Sequence, residues 1–510
     1  MGHWSAIVAV MLALASPCAG AAAGFVMSAV TPPALPREFR GAWVASVGNI
    51  DWPSRSDLSP AEQRAELAAI LDRAVALRLN AIVLQVRPAS DALYVSSLEP
   101  WSEYLTGRQG RGPEPPYDPL TFAVAEAHAR GLELHAWFNP FRARHVSGKS
   151  TAAVNHISRA QPQLVRAYGK LLWLDPGEAA VHEHVLRVIL DVVTRYDVDG
   201  VHLDDYFYPY PEKSSAGAWM NFPDDATFRR YAAAGGKLTR DDWRRKSVSA
   251  FVYRLYNAVK ERKPWVKVGI SPFGIWRNGV PEGTRGLDAH ERLFADSRRW
   301  LASGWLDYCA PQLYWNMNAD GQAFPVLLRW WTAQNTQQRH LWPGLNSSAI
   351  GTSRRADEIV AQLRHTRSQA GAGGAIHWSI KPLMQNRDGI ADRLARDVYA
   401  QPALVPASPW LDREPPARPR LAMGVDAAGT LVVQWSGEGA EKPWRWALQS
   451  RFGATWRTDL FPAQQSAAGF KAGQWPDVVA VSAVDRTGNA STPAVAERQA
   501  SPPRATTAGP

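Results

Sequence analysis

Eight short apolar runs recur between about Arg37 and Arg396, and helix-like stretches separate most of them. The runs are 41–47, 81–86, 133–138, 200–203, 267–271, 308–313, 341–345 and 374–379. Helical stretches at 60–77, 120–130 and 180–196 lie between them. In the last of these, Val185, Val188, Ile189, Val192 and Val193 recur at helical spacing. Apolar runs of this length suit strands buried on both faces. Eight strand-then-helix repeats predict an α/β fold, a closed parallel (β/α)8 TIM barrel. The alternative is an open doubly wound sheet. Its dinucleotide-binding form carries a Gly-rich phosphate loop after the first strand, and none stands there.

A chain of 510 residues exceeds one ordinary domain. The barrel is assigned to 37–400. Residues 401–418 are Pro-rich and read as a linker. Beyond it come short strand-like runs at 430–435, 444–449 and 478–484, the last closing in Thr487-Gly488-Asn489. This pattern predicts a small all-β fibronectin type III-like sandwich at 419–497, followed by a disordered tail at 498–510. Residues 6–23 are apolar and end in small residues, including Ala19-Gly20-Ala21. They read as a secretory signal within 1–24 although the preceding residues lack Lys and Arg. The expected location is therefore periplasmic or secreted. A lipoprotein anchored at Cys18 is an alternative that Pro17 disfavours. A membrane anchor is the runner-up reading of the N-terminal segment and the less expected one, and no later segment is apolar and long enough to span a bilayer.

Two cysteines build neither a disulfide framework nor a thiolate metal site, and Cys309 reads as a small core residue. The net charge of +10 favours an anionic partner. The basic residues are scattered and no nucleic-acid motif accompanies them, which leaves an acidic polysaccharide or the cell envelope rather than nucleic acid. Tryptophan is abundant at 23 residues. Most of these fill cores, but the side chain also suits stacking on sugar faces.

Polar residues gather at the ends of the runs. The richest segment is Asp199-Gly200-Val201-His202-Leu203-Asp204-Asp205-Tyr206-Phe207-Tyr208-Pro209. Period-two alternation puts His202 and Asp204 on one face, Val201 and Leu203 on the other, and Asp205 where the strand gives way to a loop. The C-terminal ends of barrel strands carry the chemistry of (β/α)8 enzymes. The first run carries Arg40 and Trp43. The second ends in Gln85 and Arg87, with Asp91 and Tyr94 beyond. The third holds His135, Trp137, Asn139 and Arg142. The fifth leads to Trp276, the sixth to Gln312, Tyr314 and Trp315, and the last to Trp378. Each has a structural explanation taken singly: a satisfied core histidine, a tryptophan plugging the barrel, an arginine in an ion pair. Seven such ends together describe a polar pocket with aromatic walls, which is what sugar binding needs.

Several runs resemble the glycosyl hydrolase-like 10 family in order. They are Arg40-Gly41-Ala42-Trp43-Val44, Gln85-Val86-Arg87-Pro88-Ala89-Ser90-Asp91-Ala92-Leu93-Tyr94, Trp101-Ser102-Glu103-Tyr104-Leu105-Thr106-Gly107, Leu134-His135-Ala136-Trp137-Phe138-Asn139-Pro140, His202-Leu203-Asp204-Asp205-Tyr206-Phe207-Tyr208-Pro209 and Ser271-Pro272-Phe273-Gly274-Ile275-Trp276. The resemblance covers nearly all of 37–400. It implies a (β/α)8 barrel, export to the bacterial envelope and hydrolysis of a polysaccharide. In some relatives that polysaccharide is peptidoglycan glycan strands that have lost their stem peptides. No cofactor is implied.

Glycoside cleavage needs an acid for the leaving oxygen and a second group that attacks or activates water. Asp204 is the first candidate and Asp205 the second. Adjacent residues point different ways, so the two are not expected to face each other across the bond. The second group is Glu103, Asp91, Asp307 or the substrate's own N-acetyl group. The pattern Asp199-Gly200-x-His202-x-Asp204-x-Tyr206 is similar to the chitinase-type Asp-Gly-x-Asp-x-Asp-x-Glu signature, with His202 replacing an Asp and Tyr206 replacing the acid Glu. His202 is expected to hydrogen-bond Asp204, Tyr314 to hold an N-acetyl carbonyl, Gln312 a hydroxyl, and Arg87 and Arg142 a substrate carboxylate. Arg40, Trp43, Gln85, Tyr94, Glu103, His135, Trp137, Asn139, Tyr206, Trp276, Trp315 and Trp378 complete the expected substrate-binding set. Two rivals stand beside the hydrolase: a non-catalytic glycan-binding protein, and a metal-dependent polysaccharide deacetylase with His135, His202 and Asp204 as ligands.

Overall fold

The computed structural model describes residues 24–499. Nine strand pieces form one parallel sheet: β1 (Phe39–Val44), β2 (Ala81–Arg87), β3 (Glu133–Phe138), β4 (Gly200–Leu203), β5 (Lys267–Ile270), β6 (Tyr308–Cys309), β7 (His340–Leu341), β8 (Gly344–Leu345) and β9 (Gly374–His377). Their order is β7-β6-β5-β4-β3-β2-β1-β9-β8. The two ends of this order are halves of one stave, interrupted at Trp342-Pro343, where the proline has no N–H to donate. On one side Trp342 N donates to Cys309 O (3.0 Å) and Gly344 N to Pro311 O (2.9 Å). On the other, Gly373 N donates to Leu341 O (3.1 Å) and Ile376 N to Pro343 O (3.1 Å). The stave is thus bonded along both edges and the barrel closes with eight staves, on the eight runs read from the sequence.

The helices that cover it start on local signals. Ser59 and Glu62 form a reciprocal capping box on α1 (Pro60–Ala76). Asp118 accepts from Leu120 N and Thr121 N at the start of α2 (Pro119–Ala129). α3 (Ala179–Arg195) buries the predicted stripe Val185, Val188, Ile189, Val192 and Val193. A large core fills the space between strands and helices, using Ile82, Leu84, Val86, Leu134, Ala136, Phe138, Val201, Leu203, Val268 and Ile270. The alternate residues point into the barrel, where Phe39, Trp43, Ala81, Val83, Trp137, Tyr308, Trp342 and Ile376 form a separate cluster.

Two glycines make room for rings in that interior. A Cβ on Gly269 would lie 1.9 Å from the Tyr308 ring, and one on Gly200 would lie 2.6 Å from His135 Nδ1. Here glycine is needed for close approach.

The loop after β3 carries an antiparallel sheet of Arg142–Arg144, Val165–Tyr168 and Leu171–Leu174 that the sequence pattern does not single out. The C-terminal unit is a sandwich of two antiparallel sheets. One orders its strands Arg420–Val425, Leu431–Ser436, Ala467–Phe470. The other runs Phe25–Met27, Ala494–Arg498, Val478–Val484, Arg445–Phe452, Thr455–Pro462. Phe25–Met27 thus adds an edge strand from far away in sequence. Residues read as a linker are fastened to the barrel: Leu404 exchanges backbone hydrogen bonds with Glu38 and Pro36, Ser408 meets His340 (3.0 Å) and Trp410 Nε1 donates to Asp307 Oδ1 (2.9 Å). Arg486 pairs with Asp197, just before β4, and Gln464 donates to Ala129 O, just before β3. All these contacts lie at the N-terminal ends of the staves, so the sandwich docks on the face opposite the strand ends. The signal reading over 1–24 and the tail reading over 498–510 fall almost wholly outside the described residues.

Gly269→Ala is expected to destabilise the protein by at least the ~1–3 kcal/mol of an overpacked core, read as a lower urea midpoint. Gly424→Ala, whose added Cβ meets nothing within 4 Å, is expected to leave the midpoint nearly unchanged.

Candidate active site

β4 delivers Asp204 and Asp205 to the C-terminal mouth of the barrel, both almost fully buried. Asp204 Oδ2 accepts from Asn139 Nδ2 and from Trp137 Nε1 (3.3 Å), both from the end of β3, and Oδ1 accepts from Tyr206 N (3.3 Å). The orientation of Asn139 is fixed from behind. Its Oδ1 accepts from Gln85 Nε2 (2.6 Å) and Arg142 Nη2 (2.7 Å), so only its NH2 is left to face Asp204. Gln85 in turn accepts from Ser46 N and Val47 N, both at 2.9 Å. A relay of three strand ends therefore aims one donor at one carboxylate. Asp205 turns the other way. Tyr210 donates its hydroxyl to Asp205 Oδ2, and the Gln312 amide faces the same carboxyl.

Burial and the neighbouring Asp205 charge raise the Asp204 pKa to about 7, against the opposing Arg142 charge and its hydrogen bonds. Asp205 is also raised by burial, which Tyr210 and Gln312 partly offset. Asp204 is therefore partly protonated near neutral pH. A carboxylic acid that keeps its proton at neutral pH is what general acid catalysis needs.

Aromatic rings frame the pair. Trp378 stands edge-on to Trp43 and Trp137, with ring centroids 6.2 and 6.1 Å apart. On the other side Tyr206, Tyr210, Phe273 and Trp315 form a chain of edge-to-face contacts at 5.2–6.2 Å. Arg142 lies 5.3 Å over the Tyr206 ring. Tyr314 is half-buried beside both aspartates, and burial with the Asp205 charge keeps its hydroxyl protonated.

A hydrogen-bond column along the barrel axis holds the floor. Trp43 Nε1 can only donate, and it meets His202 Nε2 at 3.0 Å, so that nitrogen accepts. His202 Nδ1 then donates to Tyr308 Oη (2.9 Å), Tyr308 donates to His135 Nδ1 (2.8 Å), and His135 Nε2 donates to Glu133 (3.0 Å). Lys267 completes the column at Glu133 (2.9 Å). Burial pushes the His202 pKa well down, which agrees with a neutral ring.

The structure brings together Asp204, Asp205, Trp43, Gln85, Trp137, Asn139, Arg142, Tyr206, Gln312, Tyr314, Trp315 and Trp378. Other expected residues are placed elsewhere. His202 does not hydrogen-bond Asp204, because Trp43, Ser271 and Tyr308 take its nitrogens. His135 lies a layer lower, and with both rings committed to the column the facial metal set does not form. Arg40 sits at the opposite end, paired with Glu38 (2.6 Å). Arg87 is spent on Glu99 and the carbonyls of Asn139 and Pro140, so it offers nothing to a substrate carboxylate. Tyr94 packs against Tyr196. Trp276 bonds Asp296 and stacks on Trp330. Glu103 caps Lys149 N and Ser150 N. Asp91 takes Ala89 N and Gln109. Asp307 is held at the N-terminal face by Lys260 and Trp410. Sequence reasoning missed Tyr210, which extends the aromatic run after Asp205, and Tyr308, which shares its strand parity with Gln312.

The sequence model of the family described as Glycosyl hydrolase-like 10 matches residues 38–361. The chain belongs to this family. It is 40% identical over 409 residues to Glycosyl hydrolase YngK of Bacillus subtilis (strain 168), covering 78% of this chain and 79% of that protein. It is 36% identical over 334 residues to Glycosyl hydrolase DigH of Escherichia coli (strain K12), covering 60% of this chain and 74% of that one. Among solved structures, the PgaB (BpsB) glycoside hydrolase domain from Bordetella bronchiseptica aligns with a TM-score of 0.48 at 14% identity, over 70% of this chain and 98% of that one. By its family and these curated relatives the chain is a glycoside hydrolase.

The raised Asp204 pKa has a stability consequence in this glycosidase. A carboxyl whose folded pKa (about 7) exceeds its unfolded value of 3.8 binds more protons when folded. Stability therefore falls as pH rises from about 4 to 7. Asp204→Asn removes this penalty. Thermal unfolding at pH 8 is expected to show the variant more stable than wild type by up to a few kcal/mol, with little difference at pH 4.

Proposed function

We propose that this glycosidase cleaves an N-acetylated envelope polysaccharide, with peptidoglycan glycan strands lacking stem peptides as the first substrate to test. The observation that carries the mechanism is the buried Asp204–Asp205 pair at the strand end, with burial raising the Asp204 pKa to about 7. Asp204 gives that proton to the glycosidic oxygen as the C1–O bond breaks. Asp91, Glu103 and Asp307 are all committed elsewhere. The second group is therefore the acetamido oxygen of the substrate, which bonds to C1 as the leaving group departs. Asp205 accepts the acetamido N–H and balances the positive charge that develops on it, and Tyr314 donates to the acetamido oxygen to orient it. Water then attacks C1, reopens the ring and returns its proton to Asp204. Trp378 and the Tyr206–Trp315 wall supply faces for the sugar rings.

The signal-like residues 6–23 support a periplasmic or secreted location. The three- and four-stranded order of the sandwich, with Phe25–Met27 added at one edge, supports a fibronectin type III-like spacer.

Incubating residues 25–510 with peptide-free glycan strands is expected to release oligosaccharides identifiable by mass spectrometry. Asp204→Asn is expected to lower the rate by ~10²–10⁴-fold, and wild-type activity to decline above about pH 7 as Asp204 loses its proton. Binding without products, unchanged by Asp204→Asn, would instead support a glycan-binding protein.

A further inference from the structure

We propose that a cleft beside the catalytic loop is a second subsite that binds a carboxylate-bearing sugar of the same glycan; this rests on the glycan-cleaving reading above. Residues 205–211 have two faces. Asp205, Tyr206 and Tyr210 belong to the catalytic pair and its wall. Tyr208, Pro209 and Pro211 line a separate cleft of about 140 Å³. This is below the ~300 Å³ at which pockets begin to enclose a whole small ligand. It suits gripping one residue of a longer chain.

The outer rim is a built feature. Lys213 and Trp219 bridge across a tight hairpin in which Ser214 N donates to Ala218 O (2.8 Å). Tyr168 anchors the base, accepting from Glu212 N (3.0 Å) and donating to Met220 O (3.2 Å). The hairpin leaves Trp219 60% exposed, with Lys213 Nζ 5.1 Å from its ring centroid. A tryptophan held open to water at the edge of a cleft presents a flat apolar face suited to a sugar ring.

The cleft lining carries two arginines, Arg244 and Arg292, and two carboxylates, Asp241 and Glu291. Arg244 is tied to Asp224 at 2.7 Å, to Asn221 and to Phe222 O. The acidic lining residues are likewise engaged, Asp241 with Arg244 and Glu291 with Arg245, Arg277 and His290. Arg292 lines the same cleft, and among the described residues neither it nor Lys213 has a carboxylate partner. Arg292 is exposed and free to take an anion; a planar guanidinium pairs bidentately with a carboxylate or a phosphate, and the glycan of the reading above carries the carboxylate. Of the two arginines expected to meet a substrate carboxylate, Arg87 is fully spent and Arg142 is held against Pro88 O and Asn139 Oδ1 beside the catalytic pair, and Arg292 serves that role in the cleft.

The test uses residues 25–510 and two probes: peptide-free glycan strands with their lactyl carboxylates intact, and the same strands with the carboxyls reduced to alcohols. Both KM and affinity are measured, the latter in an Asp204→Asn background. Arg292→Ala is expected to weaken binding and raise KM on the carboxylate form by on the order of tenfold, with kcat little changed, and to do neither on the reduced form. Trp219→Ala is expected to weaken both forms. Equal behaviour of Arg292→Ala and wild type on the carboxylate strands overturns the subsite while leaving the hydrolase reading intact. Strands that bind through Arg292 and Trp219 without being cut overturn the hydrolase reading alone. Strands that neither bind nor are cut overturn both.

Discussion

Burying a carboxylate costs several kcal/mol unless its charge is neutralised or compensated, and this barrel buries two in consecutive residues at the end of β4. Much of the surrounding structure is a response to that cost. Asn139, Trp137 and the Tyr206 backbone aim N–H groups at Asp204, Tyr210 and Gln312 face Asp205, and Arg142 lends a nearby positive charge. These groups do not fully offset the burial, and the remainder appears as the proton Asp204 keeps near neutral pH. The destabilisation of the folded state and the capacity for acid catalysis thus have one physical source.

The interior beneath the pair must be rigid if the donors are to stay aimed. The column from Trp43 through His202, Tyr308 and His135 to Glu133 and Lys267 meets this need, because every polar atom along it has a partner and the direction of each hydrogen bond is set by the tryptophan at one end. Gly200 and Gly269 are part of the same arrangement, since side chains there would occupy the space of the His135 and Tyr308 rings. The sandwich closes the opposite face through Trp410, Arg486 and Gln464, which keeps it clear of the mouth that holds Asp204 and Asp205.

The barrel was legible in the sequence because its signals are local: apolar runs, capping residues such as Ser59 and Asp118, and the helical spacing of Val185 to Val193. The position of Asp204 followed from strand parity for the same reason. Partner choice was not legible, since it depends on which strand ends meet across the barrel. Parity placed His202 and Asp204 on one face but could not show that His202 sits a layer lower and bonds Trp43. Arg87 and Arg142 look equivalent in sequence, yet Glu99 neutralises the first while the second reaches Asn139. Phe25–Met27 carries no signal that it will pair with Ala494–Arg498, because the contact spans almost the whole chain.

The protonation of Asp204 is most directly read from the infrared band of protonated carboxyl groups, recorded against pH as the difference between wild type and Asp204→Asn. The expected result is a protonated carboxyl, lost in the variant, that titrates with a midpoint near pH 7. A midpoint near 4, the ordinary aspartate value, would show that the hydrogen bonds outweigh the burial and would contradict Asp204 as the acid.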